Sequence, residues 1–299
     1  MDTVKTAQPF DPASFEHVPV LLNECLDGLK IDPAGTYLDG TAGGAGHSRQ
    51  IALRLNGEQG GRLISLDQDP DAVQTARARL AGLPATVVQI NFRYAGQALE
   101  QLGIETINGA LLDLGVSSHQ LDDAARGFSA DLVNSESREE LARILRDYGE
   151  EPFAWQIAGR IVEARETAPI ETTLQLADIV ASAMPPAERR KNKNPSRRTF
   201  QALRIAVNHE LDALEEGLDT IFAHLAPGGR LCVITFHSLE DRLVKNKFRR
   251  WSTACTCPPE FPVCVCGGKA KAKLITRKPI EANTQELEEN RRSRSAHLR

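Results

Sequence analysis

Short apolar runs alternate with amphipathic stretches over the first third of the chain, which predicts strands separated by helices. One run, Gly109–Asp113, is apolar almost throughout, as expected for a strand buried on both faces. The predicted strands are Thr36–Asp39, Arg62–Asp67, Thr86–Ile90, Gly109–Asp113 and Leu231–Phe236. This alternation indicates a parallel, doubly wound, Rossmann-like α/β sheet, whose ligands bind at the carboxyl ends of the strands.

The alternation stops in the middle of the chain, where helical patterns cover Arg138–Leu145, Phe153–Glu166 and Leu174–Ala183 without a convincing strand. We therefore expect a flexible leader, a first part of the α/β domain, a helical insert and a second part of the domain. They span residues 1–15, 16–120, 121–197 and 198–299. Apolar residues at three- and four-residue spacing from Phe200 to Leu225 predict one long amphipathic helix.

Composition is that of an ordinary globular protein, with 299 residues, 41% of them hydrophobic and 25% charged. The formal net charge of −4 means that any contact with nucleic acid needs local basic patches. Two candidates are the stretch 189–198 and the arginines of the tail, Arg291, Arg292, Arg294 and Arg299. No apolar run reaches the roughly 18 residues that span a bilayer, and Met1–Phe10 lacks a signal-peptide core, so we expect a cytoplasmic protein without membrane contact.

A glycine-rich turn, Asp39–His47, lies between the first strand and its helix, where a doubly wound sheet opens its crevice. The turn has no lysine for a P-loop, and its glycines at 40, 43, 44 and 46 miss the G-x-G-x-x-G spacing of dinucleotide folds. S-adenosylmethionine has no pyrophosphate and leaves the spacing freer, which makes it the better fit. A tight turn without a ligand and an NAD-binding dehydrogenase are the alternatives.

Acidic residues end two of the strands. Asp67 can accept hydrogen bonds from both ribose hydroxyls of an adenosine, and Asp69, beside Pro70, is the better helix cap, which leaves Asp67 free. Asp113 could face the sulfonium and amino end of the cofactor or the substrate amine, with a structural turn as the alternative. Phe92 either packs on the adenine or belongs to the core.

Four of the six cysteines crowd into twelve residues: Cys255, Cys257, Cys264 and Cys266. Four thiols can bind zinc tetrahedrally, although C-x-C-x6-C-x-C differs from the common C-x2-C spacing. Zinc and free or redox-active thiols are therefore both open. In a reducing cytoplasm either is favoured over disulfides.

Several longer motifs follow one another in a distinctive order: His17–Leu22, Asp39–His47, Leu112–Ser118, Gln120–Asp123, Arg126–Ser129, Arg198–Ile205 and Phe236–Arg242. From about residue 16 onward the chain closely resembles the bacterial ribosomal RNA small-subunit methyltransferase H family, also called MraW. The resemblance implies a class I S-adenosylmethionine-dependent methyltransferase fold with a helical insert.

The resemblance also implies an activity, namely methyl transfer to the exocyclic amine (N4) of a cytidine in the decoding region of 16S ribosomal RNA. The cofactor positions it implies are Ala45, Gly46, His47, Asp67, Phe92, Asp113 and Gln120. Asp113 is the candidate catalytic residue, and the insert is expected to recognise RNA. The expected partner is the small ribosomal subunit, and a homodimer is one option.

The sequence departs from the family pattern after Ser129. The family usually carries a stretch with Pro-Leu-Asp-Met-Arg-Met there, whereas this chain continues directly with Ala130–Asn134. The shorter loop keeps a second hypothesis open, a non-catalytic RNA-binding or ribosome-assembly protein that retains the methyltransferase fold.

Overall fold

The computed structural model describes residues 19–115, 130–191, 194–255, 257 and 265–299. Contacts divide the described residues into two compact units, one formed by those up to Gly115 together with Leu214–Arg299, and the other by those between them, up to Ala213. Among the helices in these described ranges, none has both the length and the apolar character that a bilayer crossing requires.

The first unit is built on a six-stranded sheet. Its strands are β1 (Thr36–Asp39), β2 (Arg62–Asp67), β3 (Ala85–Gln89), β4 (Ile107–Asp113), β5 (Leu225–Thr235) and β6 (His297–Leu298). The order across the sheet is β3-β2-β1-β4-β5-β6. Strands β1 to β5 pair in parallel and β6 pairs antiparallel with β5. The predicted doubly wound α/β sheet is confirmed, with an antiparallel edge that the hydrophobic pattern did not reveal.

Helices cover the sheet in the same unit. They are α1 (Leu22–Leu29), α2 (Gly46–Ala52), α3 (Pro70–Arg79) and α4 (Ala95–Gln101). Successive residues of the central strands enter different hydrophobic clusters, because side chains alternate between the faces of a strand. Tyr37 and Leu111 belong to one cluster, and Leu38 and Leu112 to the other.

The second unit is helical. Its described helices are α5 (Ala130–Ser135), α6 (Arg138–Gly149), α7 (Ala154–Thr167), α8 (Thr173–Ala183), α9 (Pro186–Lys191) and α10 (Arg197–Asn208). They share one core, which includes Leu141, Ile157 and Leu203. Since α10 packs into this core, the unit runs to Ala213, beyond the boundary at residue 197 that the sequence suggested.

The prediction of one long helix from Phe200 to Leu225 is wrong, because two helices cover this range. Helix α10 ends at Asn208, and α11 (Glu210–His224) begins two residues later. His209 between them has φ of 49°, in the left-handed region. The apolar spacing continues across this residue, so the break has no signature in the hydrophobic pattern.

Two helices complete the first unit, α12 (Ser238–Ser252) and α13 (Thr284–Glu289). The capping box of α12 is built by His237 with Glu240, and Asp241 takes no part in it. Asp241 instead receives a bidentate contact from Arg299, with Nε at 2.6 Å and a terminal nitrogen at 2.9 Å. This pair stabilises the attachment of β6 to the sheet.

Candidate active site

The strand order places a crevice at the carboxyl end of β1. This strand lies between β2 and β4, so the connections after β1 and β4 leave toward opposite sides of the sheet. Open α/β sheets bind their ligands at such a switch point. The predicted residues Asp67 and Asp113 end the two neighbouring strands, and the glycine turn follows β1 itself.

The glycine turn has positive φ at one of its glycines and at one alanine. Gly43 has φ of 48°, and Ala45 reaches φ of 59° although it carries a Cβ. Gly40 is required for a different reason, since a Cβ there would lie 2.4 Å from Leu112 Cδ2. The turn therefore lies directly against β4, and its residues Ala45, Gly46 and His47 begin α2.

Asp39 is buried and forms hydrogen bonds that hold this turn in place, a role that was not predicted from the sequence. Its carboxylate accepts a hydrogen bond from Ser48 Oγ at 2.6 Å and one from the Thr41 amide at 3.0 Å. Burial raises the pKa of Asp39, and the Ser48 hydroxyl opposes that shift. The acidic residue immediately before the first glycine is the signal that could have identified it.

Asp67 does not cap α3, as expected from the sequence, but it contacts the glycine turn and the start of that helix. Its Oδ2 accepts from the Gly43 amide at 2.8 Å, and its Oδ1 accepts from the Asp69 amide at 2.9 Å. Asp69 caps α3 as predicted. Burial raises the pKa of Asp67, while the two amide hydrogen bonds lower it. Each carboxylate oxygen can accept a second hydrogen bond, so both still offer a lone pair.

The side chains of His47 and Asp113 contact each other. His47 is 7% exposed, and its Nε2 donates to the Val20 carbonyl at 2.9 Å. Its Nδ1 lies 3.6 Å from Asp113 Oδ2. Burial raises the pKa of Asp113, and the neighbouring His47 and Arg292 side chains oppose the shift. The side chain of His47 thus contacts the predicted catalytic carboxylate.

Phe92 begins a short 3-10 helix after β3. Its ring packs so closely on α11 that a Cβ at Gly217 would lie 2.5 Å from Phe92 Cδ2, and its Cβ lies near Gly40. The ring is partly buried in the core cluster of that sheet face. These contacts favour the core interpretation of Phe92 and place it next to the glycine turn. Gln120, the remaining predicted cofactor residue, lies outside the described residues.

The cysteine cluster forms a compact group in the described part of the chain. The sulfur atoms of Cys255, Cys257 and Cys266 all lie within 4.8 Å of one another, and those of Cys255 and Cys266 are 3.8 Å apart. A disulfide would need about 2.05 Å. Cys264, the fourth predicted ligand, lies outside the described residues.

The fold and the site define a class I S-adenosylmethionine-dependent methyltransferase: a sheet of order 3-2-1-4-5-6 with an antiparallel last strand, and a glycine turn flanked by acidic strand ends. The model of the MraW methylase family matches residues 14–130 and 129–299. The chain belongs to this family. The two matched segments meet at residues 129 and 130.

Curated relatives agree with this assignment. The Ribosomal RNA small subunit methyltransferase H of Lachnospira eligens is 51% identical, over 95% of this chain and 96% of the relative. The protein of the same description from Symbiobacterium thermophilum is 50% identical, over 96% of each chain. Among solved structures, a putative rRNA-methylase from Clostridium thermocellum has a TM-score of 0.40 and 10% identity, covering 78% of this chain and 82% of that one.

Proposed function

We propose that the chain transfers a methyl group from S-adenosylmethionine to N4 of a cytidine in the decoding region of 16S ribosomal RNA. The observation that carries this proposal is the identity of about half, over nearly the whole chain, to ribosomal RNA small subunit methyltransferases. The reaction takes place in the cytoplasm, where ribosomal subunits are assembled.

The residues at the switch point fit the proposed cofactor. The lone pairs that Asp67 retains can accept the two ribose hydroxyls, while its other two hydrogen bonds hold the Gly43 amide and the start of α3. The turn from Gly40 to Ala45 brings backbone close to a ligand at the carboxyl end of β1. When bound, S-adenosylmethionine supplies an electrophilic methyl group on a sulfonium.

Asp113 is the group that can orient the acceptor amine. The cytosine amine is a weak nucleophile, because its lone pair is delocalised into the ring, so the enzyme must hold the nitrogen about 3 Å from the methyl carbon. A carboxylate at the end of β4 can accept the amine hydrogens and set this orientation. His47 Nδ1 lies 3.6 Å from this carboxylate, and the Asp113 amide donates a hydrogen bond to Thr41 Oγ at 2.6 Å.

The cytosine must be unpaired or extruded to reach this site. We propose that the helical insert contributes RNA recognition, supported by the basic stretch 189–198. Its described arginines are exposed: Arg189 and Arg190 lie in α9, and Arg197 and Arg198 begin α10. A homodimer stays a prediction that light scattering on the purified protein would check.

The test is methyl transfer to small ribosomal subunits from a strain that lacks this methylation. We expect labelled methyl groups in 16S RNA at a cytidine N4 with the wild type, and a loss of at least a hundredfold in rate for Asp113→Asn. The exposed Asp71→Asn, at the start of α3, is the matched control. Transfer only to protein or free nucleoside would refute the RNA assignment.

The shorter loop after Ser129 supports a second candidate, an assembly protein that binds RNA without turnover. A single-turnover assay, with enzyme in excess over subunits and labelled cofactor, separates the two. Binding of subunits without any transferred label would favour the assembly protein.

We also propose that the cysteine cluster binds zinc. Thiolates that hold zinc tetrahedrally at about 2.3 Å lie about 3.8 Å from one another, which is the separation of Cys255 and Cys266. Cys257 and Cys264 would complete the set. We expect about one zinc per chain by elemental analysis, lost in Cys255→Ser/Cys266→Ser and retained in Cys232→Ala. Equal zinc in all three proteins, or none, would contradict a site at these thiols.

A further inference from the structure

Positive charge is concentrated in one part of an acidic chain. Residues 242–255 and 265–278, here called the C-terminal basic segment, contain ten Lys or Arg residues and no acidic residue, whereas the whole chain carries −4. Such segregation is typical of a surface that binds a polyanion. Neither basic patch recognised in the sequence, 189–198 or the arginines of the tail, includes this segment.

Most of these cations are solvent-exposed. The exposed members with no ion pair to a carboxylate among the described residues are Lys245, Arg249, Arg250, Lys269, Lys271, Lys273, Arg277 and Lys278. Lys247 differs, since it is buried and contacts Asp219 at 2.7 Å and Glu215 at 2.9 Å. The exposed cations repel one another, and a bound anion would relieve that repulsion.

The backbone near residues 268–272 lies at the C-terminal end of α12. The amides of Lys271 and Ala272 both donate to the Trp251 carbonyl, at 2.8 and 3.0 Å. Gly268 approaches Ala254 so closely that a Cβ would lie 2.1 Å from the Ala254 carbonyl oxygen. The chain after Cys266 therefore folds back along the end of the helix.

This return brings the backbone at Lys271 to the last turn of α12, which carries Arg249 and Arg250, and Lys269 and Lys273 lie two residues to either side of Lys271. The helix end is itself fixed, because the Trp251 ring stacks on Phe222 with centroids 4.0 Å apart. The basic side chains are consequently presented from a backbone that is held in place, rather than from a free tail.

We propose that the C-terminal basic segment binds the phosphate backbone of the substrate RNA, an inference that rests on the proposed function. Lysine provides a point charge and arginine a bidentate contact for phosphate oxygens. Backbone contacts of this type position a nucleic acid without reading its sequence. The segment acts as an affinity surface outside the reacting centre, so it determines binding of the RNA and leaves the chemical step unchanged.

An anionic lipid surface is the competing partner, because Val265, Leu274 and Ile275 are also exposed. The described part of the segment after Cys266 has no helix that would align these apolar side chains on one face. Membrane-surface segments bury such an aligned face in the lipid. The structure therefore favours RNA.

The experiment compares two triple variants with equal loss of charge. Lys269→Gln/Lys271→Gln/Lys273→Gln removes the proposed contacts, and Lys30→Gln/Arg54→Gln/Arg77→Gln removes three exposed cations of the same unit. The Kd for a decoding-region RNA fragment is measured between 50 and 300 mM KCl. Three lost phosphate contacts should reduce the slope of log Kd against log salt by about 2 and weaken binding at 100 mM at least tenfold.

Steady-state kinetics add a second readout. In the first variant KM for RNA should rise with the binding loss while kcat stays within about twofold, and the control should match the wild type in both. Equal salt slopes for the two variants would overturn the proposal. It would also be overturned if the three lysines were needed for binding to anionic phospholipid vesicles but not for binding to RNA. If the wild type binds the fragment but never methylates 16S RNA, the proposed function is wrong. The salt slopes would still show whether the C-terminal basic segment binds RNA phosphates.

Discussion

The connection between Asp67 and the glycine turn gives the sharpest prediction. In Asp67→Asn, one carboxylate oxygen becomes an amide nitrogen of nearly the same size. Asparagine has a single acceptor oxygen, whereas Asp67 accepts from two backbone amides, those of Gly43 and Asp69, at 2.8 and 2.9 Å. One of these amides must then face an NH2 donor. Both ribose hydroxyls lose a charged acceptor, because one of them meets the NH2 group and the other a neutral oxygen.

The expected magnitude follows from these contacts. A hydrogen bond to a charged group is worth about 1.5–3 kcal/mol. Losing the charge on two ribose contacts at the lower figure costs about 3 kcal/mol, which is about a hundredfold in Kd. We expect calorimetry to show this loss for S-adenosylmethionine, with Asp71→Asn, an exposed residue of α3, unchanged.

A double-mutant cycle separates the ribose contact from an indirect effect on the turn. Its second arm is a cofactor analogue that lacks the 2′-hydroxyl. Removing this hydroxyl should weaken binding to the wild type about tenfold or more and have little effect on Asp67→Asn. If the hydroxyl contributes equally to both proteins, Asp67 does not bind the ribose and the reasoning is wrong.

Three further outcomes are expected. Arg299 lowers the pKa of Asp241, so the stabilisation is complete above the ordinary pKa of about 4 and is lost as the pH falls through the lower folded value. Chemical denaturation of Asp241→Asn should show a loss of about 2 kcal/mol at pH 7, which becomes smaller as the pH falls below about 4. A loss independent of pH would contradict this. Gly40→Ala places a Cβ 2.4 Å from Leu112 Cδ2 and should cost about 1–3 kcal/mol in the same measurement; an unchanged stability would show that the turn can move away. Phe92→Ala should lower the free energy of unfolding by about 2–3 kcal/mol with a smaller effect on cofactor affinity in calorimetry, whereas the reverse pattern would identify the ring as an adenine contact.

Ser129 is the place where we expect this chain to depart from the family pattern. The family match is itself divided there, into residues 14–130 and 129–299. Helix α5 begins immediately afterwards, at Ala130. Single-turnover chemistry therefore tests this particular chain more directly than any comparison with its relatives.

The sequence by itself determined the sheet, the helical insert and the positions of the acidic strand ends. Hydrophobic periodicity is a local property, and it located the helices of the insert to within a few residues, as at Arg138–Gly149. The motifs around the glycine turn were equally informative, because a turn that needs positive φ restricts the residues in it. These features are determined by residues that are close together in the sequence, so the sequence pattern is enough to predict them.

Only the tertiary structure decided which groups meet across the chain. Asp67 contacts Gly43 from 24 residues away, His47 contacts Asp113, and the lysines near 271 fold onto the end of α12. The left-handed residue His209 interrupts a helix whose apolar spacing continues. Such contacts depend on how distant segments pack in three dimensions, and a pattern with a period of two or 3.6 residues contains no information about them.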